Sequence, residues 1–417
     1  MESSIRREIA GVPVAEIARD FGTPCYVYDA ATIAARVAEF RAFDVVRYAQ
    51  KANSNLAVLD LVRRSGALVD AVSAGEIHRA LAAGFAPAGD PPPIVYTADV
   101  FDRESLDVVA EYGIPVNCGS SDMLAQYAER APGREVTLRV NPGFGHGHSR
   151  KTNTGGEHSK HGIWHEELPR ALELAAHCGL RVSGLHLHIG SGADLEHLAL
   201  VAGAAERLAA VVGGSLRVLS AGGGLPIPYR AGDARPDIAA YFRIWDGARK
   251  RLEAKLGHSL RLEIEPGRYV VAESGYLIAE VRAVKRVASR TFVLLDAGFN
   301  ALARPVMYGA YHPMSLAPQG SEPRAQADVV VGGPLCESGD IFTQDAGGVV
   351  RTQRLAEARA GDYLVIECAG AYGFAMASNY NSKPRPAEVI IRNGKAHLTR
   401  ARETSADMLR GEVIPAE

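Results

Sequence analysis

Eight short runs rich in β-branched and apolar residues recur through the first two-thirds of the chain, at residues 45–49, 67–72, 94–97, 114–118, 135–140, 182–189, 216–220 and 261–264. Helical patterns lie between them, for example over residues 76–83 and 169–176. Such alternation implies a parallel sheet, because parallel neighbours need a long crossover between them. Eight units over roughly 230 residues fit an α/β fold of the (β/α)8 TIM-like barrel type, for which about 250 residues is usual. A doubly wound open sheet is the rival. The position of the unusual residues separates the two. Lys51 follows the first run, Ser73 the second and Asn141 the fifth; His188 lies in the sixth; Gly222, Gly223 and Gly224 follow the seventh; Glu265, Pro266, Gly267 and Arg268 follow the eighth. A barrel gathers all of these at its C-terminal mouth, whereas an open sheet spreads them along a line.

The texture changes after about residue 270. Strand-like runs at 276–282, 290–296, 328–331, 362–367 and 387–392 are separated by turn residues with little helix between, which predicts a C-terminal antiparallel β domain. Residues 25–28 read as a strand ahead of the first barrel helix and are expected to join it. The expected division is therefore a barrel over residues 30–270, and a β domain of residues 1–29 and 271–417 that completes the active site. Lys plus Arg number 46 and Asp plus Glu 48, so there is no basic excess for a nucleic-acid backbone. No apolar run is expected to reach the ~20 residues that span a bilayer. The N-terminus runs straight into charged residues, and the five cysteines are scattered with no CxxC pair, so a reduced, cytoplasmic setting is expected.

Lys51 stands in Tyr48-Ala-Gln-Lys-Ala-Asn-Ser-Asn55, at a strand end where a solvated lysine gains little. A lysine amine there suits a cofactor aldehyde, with which it condenses as a Schiff base. A lone lysine is ordinarily a surface group, and a triple glycine is often only a tight turn. Together they say more. The N–H groups of Gly222, Gly223 and Gly224 can cradle a phosphate. Glu265 can sit under a pyridine nitrogen and keep it protonated, and His188 can stack on a ring face. This set points to pyridoxal 5'-phosphate.

Longer motifs carry a resemblance. Gln50-Lys-Ala-Asn-Ser-Asn55, Val140-Asn-Pro-Gly-Phe-Gly-His-Gly-His148, His188-Ile-Gly-Ser-Gly192, Glu265-Pro-Gly-Arg268, Arg304-Pro-Val-Met-Tyr308, Cys336-Glu-Ser-Gly-Asp340 and Gly370-Ala-Tyr-Gly373 closely resemble those of the diaminopimelate decarboxylase family, within the alanine-racemase-like fold class of pyridoxal phosphate enzymes. The resemblance runs from about Phe21 to Arg402. It implies decarboxylation of meso-2,6-diaminopimelate to L-lysine and CO2, the last step of lysine biosynthesis. It implies that Lys51 holds the cofactor aldehyde, His188 stacks on the ring, Glu265 binds the pyridine nitrogen, and Ser191, Gly224, Gly267 and Tyr372 serve the phosphate, with Arg268 also at the cofactor. It further implies that Arg268, Arg304 and Tyr308 hold the substrate's distal carboxylate, with Tyr372 also at the substrate, that Glu337 takes the distal amine, and that Cys336 donates a proton into the neighbouring subunit's site. A homodimer with shared active sites follows. Gly192 departs from the family pattern, where many members have Gln.

The residue chemistry agrees with that reading. Diaminopimelate carries an amine and a carboxylate at each end, and Arg268, Arg304 and Glu337 supply the complementary charges for the spectator end. An arginine fork pairs bidentately with a carboxylate, which lysine cannot copy. A related ornithine, arginine or lysine decarboxylase is the alternative, though such a site would need acid at the far end. A racemase is expected to avoid a carboxylate at position 265. A carrier of the cofactor alone would leave Cys336 and the second domain without a role. Five histidines (His146, His148, His158, His161 and His165) crowd the segment after the fifth strand. Their spacing matches no metal signature, so no metal is expected, and the segment reads as a mobile wall of the active site.

Overall fold

A computed structural model describes residues 5–145, 153–190 and 194–416. The chain divides into two compact units. One comprises Ala34–Ile227 and Ala234–Val270; the other comprises the N-terminal segment through Ile33, Pro228–Asp233 and the chain from Val271 onward.

In the first unit the strands Val45–Ala49, Leu68–Ala71, Ile94–Ala98, Val116–Cys118, Glu135–Asn141, Arg181–Leu187, Val218–Ser220 and Arg261–Ile264 pair in parallel, each with the next. The eighth pairs back to the first through Glu263 with Val45 and Ile264 with Val46, so the ring is closed. This is the (β/α)8 barrel. A short ninth strand, Ile163–Trp164, adds to the end of the fifth. The fourth strand begins only at Val116, because Pro115 has no N–H to give the ladder.

The helices begin where short polar side chains follow the strands. Asn55, Ser73, Asp102, Ser120, Asp194 and Asp237 each accept a backbone N–H of the first turn. Each such cap contributes about 1 kcal/mol and sets the strand-to-helix turn at the mouth. Ser73 therefore has a structural assignment: its Oγ accepts from the Glu76 N–H at 3.2 Å. The barrel interior is polar. Buried Arg47 donates from Nε to Glu263 Oε2 (2.5 Å) and from Nη2 to Oε1 (3.1 Å).

One helix, Glu196–Ser215, is long and apolar enough to span a bilayer by length and composition, which the sequence reading missed. It follows the sixth barrel strand, and Leu198, Val201, Ala202, Ala205 and Ala209 are buried in the barrel's outer layer. Its alanines explain why it escaped notice: they are apolar without forming a continuous run of large residues.

The second unit holds a sheet in the order Gln353–Ala356, Gln326–Gly332, Arg290–Leu295, Gly275–Val287, Cys25–Asp29, Ala387–Arg392, Lys395–Arg400. Tyr363–Ile366 pairs with both Gly275–Val287 and Met314–Ala317. Most pairings are antiparallel, as the pattern predicted, and residues 25–28 do join this sheet. Two pairings are parallel: Arg290–Leu295 with Gln326–Gly332, and Cys25–Asp29 with Ala387–Arg392. Both have the long connection that parallel pairing requires. In the second case the connection includes the whole barrel.

Candidate active site

Six of the expected site residues come together in the barrel unit, at the C-terminal ends of the strands. Lys51 lies in a single 3-10 turn, Gln50–Ala52, directly after the first strand. The Ala49 N–H donates to Pro266 O at 3.2 Å, which ties this turn to the end of the eighth strand. Gly267 fits closely there: a Cβ on it would lie 3.1 Å from Ala49 O and 3.2 Å from Ala49 Cβ. Arg268 follows as the first residue of the helix Arg268–Val271 and is buried.

Gly222, Gly223 and Gly224 form a turn that no other residue type fits. Gly222 and Gly224 have φ of +59° and +104°, the left-handed region that favours glycine. A Cβ on Gly222 would collide with Leu187 O, one on Gly224 with Gly190 O, and one on Gly223 would sit 2.5 Å from Glu265 O. The Gly223 N–H donates to His188 Nδ1 at 3.1 Å. That bond makes Nδ1 an acceptor, so in the neutral ring Nε2 carries the proton. Burial and the nearby Arg139, Lys51 and His186 hold His188 well below its ordinary pKa, so the neutral ring is the stable form.

Glu265 is buried and accepts twice: from His186 Nε2 (2.6 Å) and from Ser220 Oγ (3.1 Å). Burial pushes its carboxyl up, but His186, Arg47 and Ser220 outweigh that and hold it below its ordinary value. Asp70, at the end of the second strand, goes the other way. Burial and the Glu265 charge push it well up, against the pull of Lys51 and Thr97. The two carboxyls are thus pushed in opposite directions, Asp70 up and Glu265 down.

Asp70 Oδ1, His186 Nδ1 and both polar atoms of the Gln50 amide are buried without a hydrogen-bond partner among the described residues. Buried polar atoms are normally paired, so a cluster of this kind at a barrel mouth marks a place where a bound group or ordered water completes the bonding. Two of the three N–H groups expected to cradle a phosphate are used inside the fold, Gly222 N–H by Ser220 Oγ (3.2 Å) and Gly223 N–H by His188 Nδ1, so of that expected cradle the turn at Gly224 is what the structure leaves for a phosphate. With that turn closed to side chains and a buried anion at the same barrel mouth, the residues fit a phosphorylated, nitrogen-protonated pyridine. Sequence reasoning passed over Asp70 and His186. The signal for His186 was present: in His186-Leu-His188 the two histidines share one face of a strand with period two.

Other expected residues lie in the second unit. Arg304 is buried and begins the helix Arg304–Tyr308, which carries half-buried Tyr308 at its other end. Gly309 closes the helix at φ +63°. Cys336 and Glu337 are exposed on the turn after Gln326–Gly332, and the Cys336 N–H donates to Asn381 Oδ1 at 2.9 Å. This turn is organised by Asp340, which is buried and accepts from the N–H groups of Leu335 (2.8 Å) and Phe299 (2.7 Å). The strand end is thus buried at Asp340 and open at Cys336 and Glu337. Tyr372 has φ +57°, an uncommon state for an aromatic residue and one that clusters at functional sites. Ser191 and Gly192 lie outside the described residues, as do His146 and His148.

The segment after the fifth strand differs from the expected mobile wall over its described part. Asn153 bridges to Gly190, and the Thr154 N–H donates to Ile189 O at 3.1 Å. Asn141 accepts the N–H groups of Gly143 and Gly156 and donates to Gly156 O. The Asp99 carboxylate takes the Gly162 N–H at 2.7 Å and the ring of His161. Asn141 and Asp99 thus fasten residues 153–164 to the strand ends. Among the described residues no three His, Cys, Asp or Glu side chains converge as a metal site.

Known proteins match this arrangement. A family model for the pyridoxal-dependent decarboxylase, pyridoxal binding domain, matches residues 31–272. The diaminopimelate decarboxylase of Escherichia coli is 53% identical over 95% of each chain. That of Streptomyces coelicolor is 53% identical over 97% of this chain and 92% of its own. A crystal structure of a diaminopimelate decarboxylase superposes with a TM-score of 0.94 at 50% identity, covering 98% of this chain and 99% of that one. The crystal structure of the diaminopimelate decarboxylase from M. jannaschii, in co-complex with L-lysine, does so at 0.86 and 30% identity, covering 98% and 96%. A barrel mouth with a glycine cradle and a buried glutamate anion, in a chain alike over nearly its full length to these enzymes, belongs to the diaminopimelate decarboxylase family of pyridoxal-dependent decarboxylases.

Proposed function

We propose that this chain decarboxylates meso-2,6-diaminopimelate to L-lysine and CO2, the last step of lysine biosynthesis, with pyridoxal 5'-phosphate as cofactor. The observation that carries the reading is Glu265, a carboxylate kept ionised at the barrel mouth by His186 and Ser220. When bound, the cofactor supplies an electron sink for the bond between Cα and the departing carboxylate, and the sink is strongest with the ring nitrogen protonated. Glu265 holds that proton in place. Lys51 Nζ is the amine for the cofactor aldehyde. His188, neutral and oriented by Gly223, takes the ring face. The turn at Gly224, together with Ser191, Gly267, Arg268 and Tyr372, serves the phosphate end.

Arg268, Arg304 and Tyr308 take the distal carboxylate of the substrate, Tyr372 contacts the substrate as well, and Glu337 takes the distal amine. Cys336 Sγ–H returns a proton to Cα after CO2 leaves. Its exposure on a turn supports a role outside its own fold core. We assign it to the site of a second copy, so that the working unit is a homodimer with shared sites. All five cysteines are free thiols, which supports a reducing, cytoplasmic setting. The test is CO2 release across meso-diaminopimelate, its LL isomer, lysine, ornithine and arginine. Preference for the meso compound is expected. Faster turnover of ornithine, arginine or lysine would replace this substrate with that one.

A further inference from the structure

Arg304 and His312 form a pair whose chemistry is set by a third group. Both side chains are buried, at 5% and 1% exposure. Arg304 Nη1 lies 2.9 Å from His312 Nε2, and His312 Nδ1 lies 3.0 Å from the backbone oxygen of Glu367. A guanidinium nitrogen only donates and a carbonyl oxygen only accepts. His312 Nδ1 must therefore carry the proton, and Nε2 must present its lone pair to Arg304. Only the neutral Nδ1–H tautomer satisfies both bonds. Tyr229 braces the same group: its ring lies 5.2 Å from the Arg304 guanidinium carbon and meets the His312 ring edge-on at 5.7 Å.

A neutral acceptor has a consequence that an acid in its place would not have. Glutamate or aspartate at position 312 would orient the guanidinium but also neutralise it, and would compete with an incoming carboxylate. Imidazole fixes the direction of the fork without itself adding a negative charge beside it. We infer that His312, held as its Nδ1–H tautomer by Glu367 O, is a positioning residue for substrate specificity, aiming Arg304 at the distal carboxylate of a diamino diacid. This rests on the assignment of Arg304 to that carboxylate.

The experiment compares His312→Phe, His312→Gln and Arg304→Met holoenzymes. Phe keeps the ring volume and the contact with Tyr229 but offers no acceptor; Gln restores an acceptor near the Nε2 position. For His312→Phe the KM for meso-diaminopimelate should rise about tenfold or more, with kcat and the cofactor's absorbance close to wild type; His312→Gln should fall between. A KM within about twofold of wild type in His312→Phe, while Arg304→Met raises it strongly, overturns the inference and leaves the Arg304 assignment standing. An unchanged KM in Arg304→Met overturns both. Should His312→Phe not fold, nitrogen-15 NMR of the histidine rings in the wild-type holoenzyme decides, with His312 identified by its loss in His312→Gln. An Nδ1–H neutral ring supports the inference, and an Nε2–H ring or an imidazolium overturns it.

Discussion

At position 265 a carboxylate stays ionised in a buried place because the donors around it outweigh desolvation. His186 Nε2 and Ser220 Oγ each give one oxygen a hydrogen bond, while burial and the Glu265 charge push the Asp70 carboxyl the other way, well up. An amide in place of the acid keeps the shape and loses the charge. Glu265→Gln should therefore keep its cofactor, seen in the visible spectrum, and lose about a hundredfold in kcat, or roughly 3 kcal/mol of transition-state stabilisation. Near-normal turnover in that variant would remove Glu265 from the proposed role. Of this residue-scale chemistry, Lys51, His188 and Glu265 were legible as residue types at strand ends. Asp70 and His186 were not, because a single Asp or His in a strand reads as an ordinary core polar group until its neighbours are known.

The elements that bear these side chains owe their position to caps and glycines. Polar caps turn six of the strands into their helices, and the triple glycine lets the seventh strand end against Leu187, Gly190 and Glu265 without collision. Gly223 has an ordinary φ, so a Cβ there tests contact rather than strain. Gly223→Ala sets a methyl against Glu265 O and displaces the N–H that orients His188. Apoenzyme titrated with pyridoxal phosphate should then bind it at least about tenfold more weakly, or ~1.4 kcal/mol, and its melting temperature should fall as well, because the methyl collides with backbone. A wild-type affinity would mean that the cradle tolerates a side chain and is not built to this tolerance. The segment from His146 to His165 reads from its glycines and histidines as a mobile wall of the active site, and residues 153–165 of it are described. The structure fastens it through Asp99 and Asn141, two residues remote in sequence from most of it, so composition alone was a poor guide.

At the scale of the whole molecule, the proposed role of Cys336 makes a statement about assembly. If its thiol serves a second copy, Lys51→Ala and Cys336→Ala homodimers should each be nearly inactive. Mixed under conditions of subunit exchange, half the dimers are hybrids, each with one site that has both residues intact. Activity should return to about a quarter of wild type by this symmetry argument. Exchange demonstrated by mass spectrometry with no recovery would confine Cys336 to its own chain.

Sequence alone determined the barrel, since eight strand–helix units with chemistry at each strand end have few other ways to bury their apolar faces. It also determined the cofactor class, because lysine, glycine turn and glutamate recur at those ends, and the resemblance of their flanking motifs named the family. Tertiary structure decided what depends on distant partners. Protonation at Asp70 and Glu265 is a contest between burial and charges brought together by closing the ring. The tautomer of His312 is set by Glu367 O, 55 residues further along the chain. Two strand pairs in the second unit are parallel, because pairing follows where a long connection returns the chain and not the local run of residues. Side-chain type is local, whereas pKa, tautomer and register are properties of neighbours, and neighbours exist only in the fold.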